Sequence, residues 1–221
     1  MGDLNEKILV NEDWKSLILF FSFFIITFLK SLDPNKFKYL INFLNVIMFF
    51  KIFDKEKRSF FNIFFFLGIF LTFIIFSLSV FFILEELDLI QNSLESFNKI
   101  FISISLISIT RTLILYLSSK ILGINELINK IIYKNITFLI QLSFLLYVLI
   151  LFSKYGFNSN NYFLFFSILI TYILLVISQI WVYWFHYNKI KNNVLFLILY
   201  ICAFKISPWI IAYSIITDLR Y

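Results

Sequence analysis

Residues 100–119 read IFISISLISITRTLILYLSS, an apolar run of bilayer-crossing length that carries one arginine, Arg111, about two thirds of the way along. A guanidinium at that depth costs roughly 2.5–3.5 kcal/mol on insertion scales, so Arg111 is expected to face protein or water rather than lipid tails. The rest of the chain has to provide that environment.

Composition points the same way. Of 221 residues, 61% are hydrophobic and only 14% charged, against roughly 45–50% apolar in a soluble domain. The expected fold is all-α: a polytopic transmembrane helical bundle forming a single membrane domain over residues 1–221. The tail before the first apolar run holds Asp3, Glu6, Glu12 and Asp13 against Lys7 and Lys15. That is the wrong charge balance for a cleavable signal, so the first span is expected to be retained.

Crossing a core ~30 Å thick takes about 20 mostly apolar residues. Six segments meet this, at about 15–32, 60–84, 100–119, 136–152, 162–185 and 194–217. Asp33 and Pro34 end the first, because the residue before a proline is biased out of helical geometry. The segment 35–53 is also apolar, but Asn35, Lys38, Asn42 and Asn45 recur at helical spacing on one face and lysines flank it on both sides. It reads as an amphipathic helix lying in the membrane interface. Residues 120–135 read as an amphipathic connector with Gly123 capping the helix before it, Tyr155 to Asn161 as a turn, and His186 to Asn193 as a polar turn before the last span. Pro208 kinks that last span and frees the carbonyl of Phe204, next to an intramembrane lysine, Lys205.

The first, third and fifth connections, counting Lys30 with the first, hold twelve Lys or Arg, whereas the two tails and the second and fourth connections hold five. By the positive-inside rule the odd connections are cytoplasmic and both termini lie outside the cytoplasm, as in a multi-pass protein of a bacterial inner membrane. The net charge of +6 belongs to these topology signals. Nucleic acid is therefore not an expected partner; membrane lipids, anionic ones included, and other membrane-protein subunits are.

Helical spacing places Ser105, Ser108, Arg111, Thr112, Tyr116 and Ser119 on one broad stripe that should face other helices. At ~1.5 Å rise per residue, Arg111 lies ~12 Å and Lys205 ~17 Å from the cytoplasmic boundary, with Gln141 and Gln179 each ~8 Å inside it. The candidate ligand-binding set is thus Arg111, Lys205, Gln141, Gln179, Ser108, Thr112 and Tyr116. No Asp or Glu lies well inside any span. Paired aspartates for magnesium are missing, His186 is the single histidine, one cysteine (Cys202) precludes an internal disulfide, and four glycines build no phosphate loop. Neither a catalytic constellation nor a metal site emerges, and no cofactor is expected.

The run Arg111, Thr112, Leu113, Ile114, Leu115, Tyr116, followed by Gly123, resembles the central signature of a Bacteroidetes family of small polytopic inner-membrane proteins known as a domain of unknown function. Lys36, Phe37 and Lys38 after the first span, and Tyr200, Cys202, Ala203 and Pro208 in the last, extend the similarity over most of the chain. The resemblance implies an inner-membrane location in a Gram-negative cell and no activity. In that family the position of Lys205 is often acidic, so a bridge from Arg111 does not carry over to this sequence. Two readings remain: an accessory or scaffold subunit of an envelope complex, or a binding or transport protein with a cytoplasm-facing anion pocket at Arg111 and Lys205.

Overall fold

The computed structural model describes residues 13–42, 50, 62–121, 125–156 and 161–190. Among these are six α-helices and no strand. They are α1 (Asp13–Leu32), α2 (Pro34–Ile41), α3 (Ile63–Glu86), α4 (Leu94–Ile121), α5 (Asn125–Leu151) and α6 (Asn161–Ile190), with a π-helical turn at Phe152–Gly156. Five of them, all but α2, are long and apolar enough to cross a membrane, the pattern of a multi-pass membrane protein.

α3 is apolar on every side, and a helix of that kind belongs in the middle of a bundle. It is there: 67% of its apolar window is buried inside the chain, against 56% for the span on α5 and 11% for that on α4. α1, α4, α5 and α6 all pack against α3. A close approach occurs at Gly68, where an added Cβ would stand 2.8 Å from Cδ1 of Ile140 on α5. Two helices meet this closely only where a small residue opens the surface of one of them. Next to it, Thr72 Oγ1 donates to the Gly68 carbonyl at 2.8 Å and lies 3.4 Å from Ser143 Oγ.

The helices alternate in direction. The start of α1 lies beside the end of α3 and the start of α4, as the edge-to-face contact of Trp14 on Phe81 and the packing of Trp14 against Phe97 show. The tight α3–α4 connection is built from local signals. Asp88 takes a left-handed conformation (φ 53°) and Leu89 N–H donates back to the Leu84 carbonyl, closing α3. Ser93 Oγ then accepts from Ser96 N–H and caps α4. Consequently the end of α1, the start of α3, the end of α4, the start of α5 and the end of α6 lie at one pole, while the start of α1, the α3–α4 connection, the end of α5 and the start of α6 lie at the opposite pole.

α1 stops at Leu32 as expected, and Asp33 then caps α2 by accepting from Lys36 N–H at 3.0 Å. α2 begins the segment read as an interfacial helix. Its expected polar face, Asn35, Lys38 and Asn42, is exposed, while Phe37 is buried edge-on against Phe144 of α5 at 5.6 Å. Residues 43–49, 51–61 and 191–221 lie outside the described residues, so the remainder of that helix and the span at 194–217 do too.

Two boundaries differ from expectation. The amphipathic connector at 120–135 and the short span at 136–152 are one helix from Asn125 onward, because one of the lysines that break the hydropathy pattern is accommodated inside the bundle. Lys134 is buried, its ammonium 5.3 Å from the ring of Phe50. Likewise α6 continues to Ile190, through the position of His186 that read as part of a turn.

The Gly68 contact makes a direct prediction. Gly68→Val should lower the thermal stability of the purified protein by about 1–3 kcal/mol through overpacking. Adding Ile140→Ala should recover part of the loss, and equal melting of Gly68→Val and wild type would show that the helices are not in contact there.

Candidate functional site

The stripe on α4 is only partly absorbed by the bundle. Ser119 is buried, Ser105, Ser108, Arg111 and Thr112 are half-buried, and Tyr116 is exposed. Ser108, Thr112 and Tyr116 come together on the wall of an open cleft of about 650 Å³ between α3, α4 and α5. Phe66, Ile69 and Thr72 of α3 form a second wall, and Asn129, Ile132 and Leu139 of α5 a third.

This cleft is largely apolar despite its hydroxyl groups, because the hydroxyls of Thr72 and Thr112 are satisfied within their own helices. Thr112 Oγ1 donates to the carbonyls of Ser108 (3.1 Å) and Ile109 (2.9 Å), and Thr72 Oγ1 to that of Gly68. Such back-bonding leaves the threonine methyl groups and the surrounding hydrocarbon to define the surface. At the basic pole the cleft ends near Tyr116, where the Lys120 ammonium stands 5.0 Å from the ring.

The other candidate residues are not part of it. Arg111 is absent from the cleft walls: at about 100° per residue its direction on α4 diverges from that of Ile109 and Leu113, which do line the cleft. Gln141 is buried on α5, and neither amide atom finds a partner among the described residues. Gln179 is half-buried on α6, and Lys205 lies outside the described residues.

At the opposite pole the fold assembles a constellation that sequence reasoning missed. Lys15 is buried, and its ammonium lies 2.7 and 2.9 Å from the two carboxylate oxygens of Glu85. The rings of Trp14, Phe81 and Phe82 surround that ammonium at 5.4–5.7 Å. From the π-helical turn, Lys154 adds a second ammonium 4.9 Å from the Phe82 ring, and Tyr155 donates from its hydroxyl to Ser16 Oγ at 2.9 Å. The signal was present in outline. Lys15 opens the first span, Glu85 closes the second, and alternating helices put those two ends on one side.

A two-point carboxylate contact inside an aromatic cage joins α1 to α3 but offers no reacting group, and no cluster of His, Cys, Asp or Glu suited to a metal occurs among the described residues. Breaking one half of a buried pair is more costly than replacing both. Glu85→Gln should cost up to about 3 kcal/mol, the low end of the range for buried pairs because the Glu85 side chain keeps 26% exposure. In a thermal-melt cycle, Lys15→Met with Glu85→Leu should lose less than either single substitution, and strict additivity would rule out the coupling.

Compared with known sequences, residues 16–216 match a family described as Domain of unknown function (DUF4271). No curated protein and no solved structure matches the chain.

Proposed function

The chain belongs to the DUF4271 family, and on that premise we propose that it is an accessory or scaffold subunit of an envelope complex, held in the bacterial inner membrane and without catalytic activity of its own. The observation that carries this reading is the state of α4. It carries more Ser and Thr than any other described span, and Arg111 besides, yet only 11% of its apolar window is buried within the chain. Serine and threonine are enriched where membrane helices associate, because they permit close approach and satisfy themselves locally when unpaired. Ser103 and Thr110 do this on α4, donating to the carbonyls of Lys99 and Leu106. The outward surface carrying them, with Leu106 and Leu117, is the part of α4 farthest from α3 and α5 and suits a partner's transmembrane helix.

Orientation comes from the charge bias. The basic pole faces the cytoplasm and both termini lie outside it, in agreement with the inner-membrane placement that the Arg111–Tyr116 resemblance to Bacteroidetes proteins supports. Topology reporters inserted at Ser59 and Gly123 should read cytoplasmic, and those at Ser93 and Ser159 external. The reverse pattern would invert the assignment.

Cross-linking in the native membrane tests the role. A benzophenone side chain at Leu106, and separately at Thr110, should give one discrete adduct to the same membrane protein, whereas Phe24 on the exposed side of α1 should not. If α4 yields lipid adducts alone, the accessory reading is wrong.

A further inference from the structure

The cleft between α3, α4 and α5 has a definite shape and polarity, which the accessory role does not use. Its lining runs from Ser108 to Tyr116 on α4 and from Asn129 to Ile140 on α5, an axial reach of ~12–16 Å. That is about half of a ~30 Å hydrocarbon core, or the depth of one leaflet. A volume of about 650 Å³ falls within the ~300–1,000 Å³ typical of small-ligand sites. The walls are hydrocarbon, and the wall hydroxyls of Thr72 and Thr112 are already bonded to their own helices, so the occupant they suit is a flexible apolar chain.

Charge defines the other end of that occupant. Where α4 finishes and α5 begins, Tyr116 and Asn129 offer polar groups at the cleft itself. The exposed Lys120 stands against the Tyr116 ring, and Glu126 is the acid nearby on α5. Acidic residues concentrate instead at the opposite pole, with Glu85, Glu86, Asp88 and Glu95. We propose that the cleft seats an acyl chain of an anionic glycerophospholipid, with the phosphate held at Lys120 beside Tyr116. The cleft lining includes neither Leu106 nor Thr110, so the lipid site and the accessory surface are tested at separate side chains.

Native mass spectrometry of the full chain, titrated with phosphatidylglycerol and with phosphatidylcholine of the same acyl composition, reads both halves of the site. Wild type should retain phosphatidylglycerol preferentially. Replacing Lys120 with glutamine should cut that preference about fivefold and leave phosphatidylcholine retention unchanged. Leu113→Trp, at the exposed lip of the cleft, should lower retention of both lipids at least tenfold by occupying the channel. Equal retention of the two lipids by wild type, or unaltered phosphatidylglycerol retention in Leu113→Trp, overturns the proposal. Benzophenone at Ile109 supplies a readout that does not depend on a perturbed fold. A phosphatidylglycerol adduct supports the site, and adducts only to peptide, from this chain or a second copy, exclude it.

Discussion

The bundle depends on how closely α3 and α5 approach at Gly68 and Ile140. A bilayer gives helices no hydrophobic incentive to associate, since lipid tails are as apolar as leucine side chains, so their cohesion comes from contact area and local polar bonds. The missing side chain at Gly68 leaves room for the side chain of Ile140, and Thr72 stands opposite Ser143 one turn on. With that pair fixed, α1 and α4 find positions against α3, and α6 packs along α5. The α3–α5 contact also shapes the cleft, because Thr72 and Ile140 are part of its lining.

The two poles of the molecule solve the problem of charge near hydrocarbon in different ways. At the acidic pole, a lysine is taken inside, matched with a carboxylate and wrapped in aromatic rings, so that charge becomes a joint between helices. At the basic pole, Lys120 and Lys130 remain accessible to solvent and the space beside them stays open. One pole commits Lys15 and Glu85 to internal cohesion; the other keeps Lys120 available.

Much of the helical framework was legible from hydropathy and from two local signals, the Asp33–Pro34 break and the polar stripe of α4. These are short-range properties, and a helix records them directly. Continuity through 125–135 was not legible, since Lys130 and Lys134 look like a membrane boundary until the fold supplies Phe50 beside Lys134. Lys15 and Glu85 are seventy residues apart, and neither is unusual alone. The cleft is still less visible in one dimension, because it is a gap left by three helices rather than a motif on any of them. Of the candidate residues, Ser108, Thr112 and Tyr116 share the cleft wall while Arg111 does not, because a helical stripe that broad divides into two flanks once packed.

The π-helical turn after α5 has a consequence for how this pole tolerates change in length. A π turn contains one more residue than the α-helical turn it replaces, and in many proteins such turns are inherited insertions that persist because they redirect the side chains beyond them. Here the turn aims Lys154 at the Phe82 ring and Tyr155 at Ser16. Removing a single residue between Phe152 and Gly156 would restore ordinary winding and rotate both side chains by about 100°, unlatching the end of α5 from α1 without altering any apolar contact deeper in the bundle. The family's sequences should therefore conserve spacing across this turn more strictly than they conserve the residues within it.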